Sequence, residues 1–243
     1  MKRFLFIILS CILLLYTNHT YAQSSEDSTI NIPENGRTYT QIFDSLTAGL
    51  IPMRVPYGVL YDRVYPWSGA DAWQNDDTAS VYQLYQTWFD MEHSRMDSTA
   101  PVTYNAMRQT VDNMALEGRI PLLFISYNFA RIDSTAVNDG RLSFVDSVLT
   151  DNNIGPAPYT THQVNIAGLP IDHATAGDTL SIEYNNDIYR LSNTNATILS
   201  ISITDVSEGW QYSFEPNNSQ SIVFAQEGVH EIIVGVTLGT VPC

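Results

Sequence analysis

The chain has 243 residues, with 26 Asp and Glu against 11 Lys and Arg, for a formal charge of −15 at pH 7. A duplex-binding protein needs a basic patch to neutralise phosphates, and an anionic bilayer surface repels an acidic chain. Nucleic acid and membrane surfaces are therefore excluded as expected partners.

The N-terminus opens with Lys2 and Arg3, followed by an apolar run from Phe4 to Tyr16. Thr20-Tyr21-Ala22 then places small residues at the −3 and −1 positions of a cleavage site before Gln23. This is the layout of a cleavable secretory signal over residues 1–22. The run is shorter than the roughly 20 apolar residues a spanning helix needs, and Cys11 lies inside it, which does not suit a lipoprotein site. The expectation is export to the periplasm, the outer-membrane surface or the medium, with no membrane insertion after cleavage. Cleavage removes Lys2, Arg3 and no acid, moving the formal charge from −15 to −17, and every basic residue that remains is an arginine. Cys243 becomes the only cysteine, so no intrachain disulfide forms and stability must come from a core.

Residues 23–36 ("QSSEDSTINIPENG") are polar and without periodicity, and read as a flexible leader. A short helix is expected from Tyr39 to Leu50, with Ile42, Leu46 and Leu50 as its stripe. "GVLYDRV", bounded by Pro56 and Pro66, reads as a strand. Val81, Leu84, Tyr85, Trp88 and Phe89 recur at helical spacing and predict an amphipathic helix over about Thr78–Met96. Pro101 suits the first turn of the next helix, Tyr104, Met107, Val111 and Met114 are its stripe, and Gly118 suits its C′ position. "RIPLLFISYNFARI" predicts a strand apolar on both faces, hence central in its sheet. From Pro158 onward short β-rich runs alternate with Gly, Asn and Asp turns, which predicts an antiparallel sandwich. The fold class expected is α+β: a strand–helix–helix–strand α/β module over 37–157, then a β-sandwich over 158–243.

Two segments are similar to known families. "ISITDVSEGW" followed by "IVFAQEGVHEIIVGVTL" resembles the last strands of PKD-type, immunoglobulin-like domains, with Asp205, Gly209, Phe224, Gly228 and Val234 at comparable places. The acidic turn of those domains is degraded here to Asp205-Val-Ser-Glu-Gly. More broadly, "IPMRVPYGVLYDRVYPWSG", "EGRIPLLFISYNFARIDSTAVNDG" and the β-rich region look like a family of exported Bacteroidota proteins. That family has a P-x-G-x-L-Y-D-R strand and an immunoglobulin-like module, and no assigned activity. The resemblance implies architecture and location rather than chemistry, and a chain that stops at Val241-Pro242-Cys243, just after a β-run, reads as a truncated member. Seven triplets match the Asp-Ser/Thr acceptor pattern for O-glycosylation in that phylum, at Ser28, Ser45, Thr78, Ser98, Ser134, Ser147 and Thr179. Asp-Ser and Asp-Thr are also ordinary turn and helix N-cap pairs.

Missing residue types narrow the chemistry. Without lysine there is no P-loop lysine, Schiff base or Ser-x-x-Lys dyad. Gly-x-Ser-x-Gly and dinucleotide-binding glycine fingerprints do not occur, and no cofactor or metal is expected. His93, flanked by Asp90 and Asp97 on one helix face, reads as a surface ion-pair cluster rather than a metal site. Asp62 and Arg63 are adjacent in a strand and so point to opposite faces. Tyr57, Tyr65, Trp67 and Trp73 form an aromatic stretch with acids around it. This suits either a sugar platform or the packing of a strand against its helix. Two functional classes follow. One is a structural, adhesive or glycan-binding envelope protein, whose partner is carbohydrate or another envelope protein. The alternative is a carbohydrate-active hydrolase using a pair among Asp62, Asp71, Asp76 and Glu92, at about 5–10 Å separation.

Overall fold

The computed structural model describes residues 36–61, 81–96, 102–170, 178–185 and 189–240. Two compact units divide the chain, Met1–Thr38 and Tyr39–Cys243. The first is described only at residues 36–38; the second carries the fold, which is α+β, with three helices and eleven strands among the described residues, in small mixed and antiparallel sheets. No closed sandwich is formed by the described strands.

Helix α1 spans Tyr39–Thr47. Its inner face is Phe43 and Thr47, not the expected Leu46, which is half exposed. Helix α2, Val81–His93, buries Leu84, Tyr85 and Trp88 of the face its spacing predicts, leaves Val81 and Phe89 half-buried, and buries Met91 besides. Trp88 is completely enclosed, and its indole N–H donates to the Val102 carbonyl at 3.1 Å. Helix α3, Tyr104–Ala115, starts at the N-cap Thr103, whose hydroxyl oxygen accepts from the Ala106 N–H at 3.2 Å. Residue 101, the expected first-turn proline, lies outside the described residues. Met107, Val111 and Met114 are the buried stripe. The helix ends one residue earlier than the glycine suggests: Leu116 is the C-cap, and Gly118 follows at φ +69°.

Of the expected strand at 58–64, the described part is a stub ending at Tyr61. Pro56–Gly58 turn tightly, with Tyr57 and Gly58 both at positive φ, and only Val59 and Leu60 bridge to neighbours. The Tyr61 N–H donates to the Ala130 carbonyl at 3.0 Å, and the Leu60 N–H to the Ser94 carbonyl at 3.0 Å. The stub is thus held between the chain leaving α2 and a long strand. Residues 62–64 lie outside the described residues.

That long strand runs through β1, Arg119–Pro121, and β2, Leu123–Ile132. Between them the Leu122 N–H donates to the Glu183 carbonyl at 2.7 Å. As the two-sided burial predicts, β2 is central. It pairs antiparallel with β5, Tyr159–Gly168, and parallel with β7, Arg190–Ser192. Strand β6, Thr179–Glu183, pairs parallel with β1 and antiparallel with β10, Ser219–Val223. In a third sheet β8, Ala196–Asp205, lies between β9, Trp210–Phe214, and β11, Ile232–Thr240. The texture change at residue 158 therefore does not separate the sheets, because strands from both sides of it share two of them.

A hairpin that periodicity does not reveal, β3 (Leu142–Val145) and β4 (Val148–Asp151), turns at Asp146 and Ser147 with φ of 52° and 67°. Its β4 edge touches Gly49, where a Cβ would come within 2.6 Å of the Thr150 hydroxyl, so only glycine fits there. One large core joins α2, α3 and the three sheets, and a smaller one gathers Leu50, Val55, Leu60, Ala130, Leu142, Leu149 and Tyr159.

Candidate functional site

The stretch that dominates the sequence is described only up to Tyr61. Asp62, Tyr65, Trp67, Asp71, Trp73 and Asp76 lie outside the described residues, as do Ser28, Thr78, Ser98 and Asp97. The tyrosines at 57 and 61, which are described, behave oppositely. Tyr61 is buried, its ring edge-on to Phe129 at 5.4 Å, and its hydroxyl donates to the Asp90 carboxylate at 3.3 Å. Tyr57 is 52% exposed and held at φ 60°, a left-handed conformation that costs a non-glycine residue on the order of 1 kcal/mol.

Glu92, the fourth candidate acid, accepts from the Tyr104 N–H in the first turn of α3, where backbone donors lack intrahelical acceptors. Asp90 is not on a surface cluster with His93. It is 4% exposed, and its other oxygen accepts from the Gln86 amide at 3.0 Å. Asp90 lies on the side of α2 that faces the stub, where the Tyr61 hydroxyl reaches it. The His93 ring stacks on Phe89 at 4.0 Å, with Nδ1 against the Phe89 carbonyl at 2.8 Å.

A second group of charges holds the loops beside the smaller core. Arg141 binds Asp133 at 2.8 Å and Asp139 at 2.7 Å. Hydrogen bonds from the Thr135 N–H and Arg141 hold the Asp133 carboxyl below its ordinary range, and the Arg141 guanidinium brings Asp139 down to about 2. Arg54 donates to Asp151 at 3.0 Å, to the Asn153 side chain at 2.9 Å and to the Pro156 carbonyl at 2.9 Å. Asp151 is fully enclosed, and its second oxygen and the buried Tyr159 hydroxyl have no hydrogen-bond partner among the described residues. Burial, then the Asp151 charge, pushes the Tyr159 hydroxyl up to about 12.

A third group closes the corner between β8 and β11. Asp205 is enclosed and accepts from the Ser207 N–H at 2.7 Å, the Glu208 N–H at 3.0 Å and His230 Nδ1 at 2.6 Å. Burial alone would raise its carboxyl, but these donors outweigh it and hold Asp205 below the ordinary value. His230 Nε2 faces the Gln226 carbonyl at 3.0 Å. With an acceptor at each nitrogen, Asp205 first, the imidazole is held in its charged form above the usual histidine value. Glu208 accepts from the Ala225 and Gln226 N–H groups and from the Trp210 indole, and lies below its ordinary value. The Asp-x-Ser-Glu-Gly pattern marks this turn in the sequence; the His230 partner, 25 residues away, carries no local signal.

Of the modification candidates, Ser134 and Ser147 are exposed in turns. The Ser45 hydroxyl donates to the Gln41 carbonyl at 2.8 Å and Thr179 to Asp178 at 2.9 Å. Among the described residues no group of three or more His, Cys, Asp and Glu is placed to hold a metal ion, and no helix is long and apolar enough to cross a membrane. Fold and charge clusters together define an α+β protein whose visible ionic groups converge on loops. No family model matches the chain, and no curated protein or solved structure matches it.

Proposed function

We propose that the chain is an exported protein of the cell envelope or surface with a structural, adhesive or glycan-binding role, and that it is not an enzyme. The observation that carries this reading is the commitment of six carboxylates among the described residues. Glu92 caps a helix, Asp133 and Asp139 hold Arg141, Asp151 holds Arg54, and Asp205 and Glu208 bind backbone N–H groups. An acid engaged in this way is not available as the nucleophile or proton donor of a glycosidic cleavage. The exposed Tyr57 ring supports the glycan-binding form of the proposal, because an aromatic face buries the apolar face of a sugar ring.

The same reading places the chain in the exported Bacteroidota family and treats β6–β10 and β9–β8–β11 as an open immunoglobulin-like arrangement. It is supported by a chain path that runs from β8–β9 to β10 and back to β11, with Asp205 ending β8, Gly209 in the turn and Val234 in β11. Export with cleavage before Gln23, and glycosylation at exposed Ser134 or Ser147, belong to the same proposal.

The test is retention on a panel of polysaccharides together with an assay for released reducing ends. Retention without hydrolysis is expected, weakened by Tyr57→Ala and abolished by Trp67→Ala with Trp73→Ala. Hydrolysis that disappears in Asp62→Asn, Asp71→Asn, Asp76→Asn or Glu92→Gln would replace the proposal with the hydrolase reading. Intact mass of the exported protein should start at Gln23 and exceed the sequence mass; retention of residues 1–22 refutes the location.

A further inference from the structure

We propose that one face of the β5–β2 sheet binds a neutral, polyhydroxylated glycan through its side-chain amides, an inference that rests on the glycan-binding form of the function proposed above. The register of the two strands sets Ser126 beside Asn165, Asn128 beside Gln163 and Ala130 beside Thr161 on that face. The opposite face, with Ile125, Tyr127, Val164 and Ile166, is core. Thr161, Gln163 and Asn165 are exposed, Asn128 is half-buried, and no exposed large apolar residue lies among them. The amides keep bonding capacity although their neighbours are engaged. The Ser126 hydroxyl donates to Asn165 Oδ1 at 2.8 Å and meets the Thr194 hydroxyl at 2.6 Å, which leaves the Asn165 NH2. Asn128 is bonded through its backbone: its N–H donates to Asn193 Oδ1 at 2.6 Å, and its carbonyl accepts from Asn193 Nδ2 at 2.7 Å. Among the described residues nothing is hydrogen-bonded to the side chains of Asn128 or Gln163.

The chemistry of the face selects the ligand. An amide donates through its NH2 and accepts through its carbonyl, and a sugar hydroxyl does both, so a row of amides meets a polyol without stranding either partner's groups. Positions on one face lie about 5 Å apart across the strands and about 7 Å apart along one, within reach of a single run of sugar rings. The chain has 26 acidic residues, yet β2 and β5 place none on this face. Arg190, the cation at its β7 end, is committed to the Ser192 hydroxyl at 2.9 Å and to the Thr194 and Ala196 carbonyls at 3.1 and 2.6 Å. An anionic sugar gains nothing from that cation and is repelled by the acidic chain. An apolar protein partner finds no hydrophobic patch here to build an interface core on. The stub runs parallel to β2 with Leu60 opposite Ala130, so the Pro56–Gly58 turn, with the exposed Tyr57 ring, lies toward Asn128.

Retardation of the full-length chain in native gels containing mannan, xylan, laminarin or polygalacturonate tests this. Retardation by at least one of the three neutral polysaccharides, and none by polygalacturonate, is expected. Gln163→Ala with Asn165→Ala should weaken it about tenfold, through the loss of two hydrogen-bonding groups. Gln211→Ala with Ser213→Ala, exposed on β9, should leave it unchanged. The unsubstituted chain gives a readout independent of any variant: the side-chain NH2 resonances of Asn128, Gln163 and Asn165 should shift on titration with tetrasaccharides of the retarding polysaccharide. Retardation that survives Gln163→Ala with Asn165→Ala, that both pairs weaken equally, or that leaves those resonances unmoved overturns this site and keeps the glycan-binding reading. Preferential retardation by polygalacturonate overturns the neutral class of ligand. No retardation by any polysaccharide overturns both the site and the reading it rests on.

Discussion

Two loop corners of this molecule are built on the same device, an aspartate that collects backbone and side-chain donors, yet they differ in the cation that completes them. At 133–158 the cations are Arg141 and Arg54, which stay charged at any pH a protein survives. At 205–231 the cation is His230, which titrates close to neutrality. The difference teaches that one device can make a permanent clamp or a conditional one, with the choice resting on a single residue type. It also shows what the acidity of the chain does locally: the carboxylates organise loops that otherwise lack regular hydrogen bonds.

Breaking the permanent clamp should have the largest effect. Asp151→Ala leaves the largely buried Arg54 without its carboxylate, and removing one partner of a buried pair costs about 3–5 kcal/mol. Chemical denaturation should show this as a lower midpoint with unchanged slope. The conditional corner should be weaker: Asp205→Ala strands two N–H donors at a cost of about 1–3 kcal/mol, read in the same experiment. If Asp205→Ala proves the more damaging, the ranking of the corners is reversed.

Next in size comes the response to pH. His230 is raised in the folded protein, so its contribution is complete below its unfolded value near 6.5 and is lost as pH rises through the folded value. Asp205 is lowered, so its contribution is present above its unfolded value near 3.8 and is lost as pH falls through the folded value. The groups facing His230 are Asp205, Glu208 at 3.9 Å, the Gln226 carbonyl and the Phe224 ring, and both carboxylates favour the imidazolium. The corner should therefore be firmest between about pH 4 and 6.5 and loosen above that. At the arginine corner Asp133 and Asp139 are both lowered, so stability there should fall only in strong acid. His230→Gln should remove the alkaline loss at 205–231 and leave 133–158 untouched, as followed by thermal melts at pH 5 and pH 8. The smallest effect is expected at Tyr57→Gly, which relieves the left-handed backbone and should shift stability by less than about 1 kcal/mol.

How much of this was legible in the sequence depended on whether the signal was local. The stripes of α2 and α3 and the two-sided burial of β2 follow from apolar spacing within one element, and the structure has them. Leu46 misled because a nine-residue helix at the surface turns Phe43 and Thr47, rather than the apolar i+4 position, toward the core. The β3–β4 hairpin escaped because its turn is Asp146-Ser147 instead of a glycine-containing pair, so it reads as a cap or an acceptor triplet. Asp90 looked solvated because helical spacing does not say that Tyr61, 29 residues earlier, lies over it. Parallel pairing of β1 with β6 and the approach of His230 to Asp205 join residues far apart in sequence, and no periodicity encodes either.

Amide hydrogen exchange, resolved by segment and recorded from pH 5 to pH 8 with intrinsic rates divided out, tests most directly whether these acids act as clamps. Protection of residues 206–209 and 225–231 should fall together as pH rises through the His230 titration, while protection across 133–158 stays constant. An unchanged 205–231 corner while His230 deprotonates, or a parallel loss at both corners, would contradict the account.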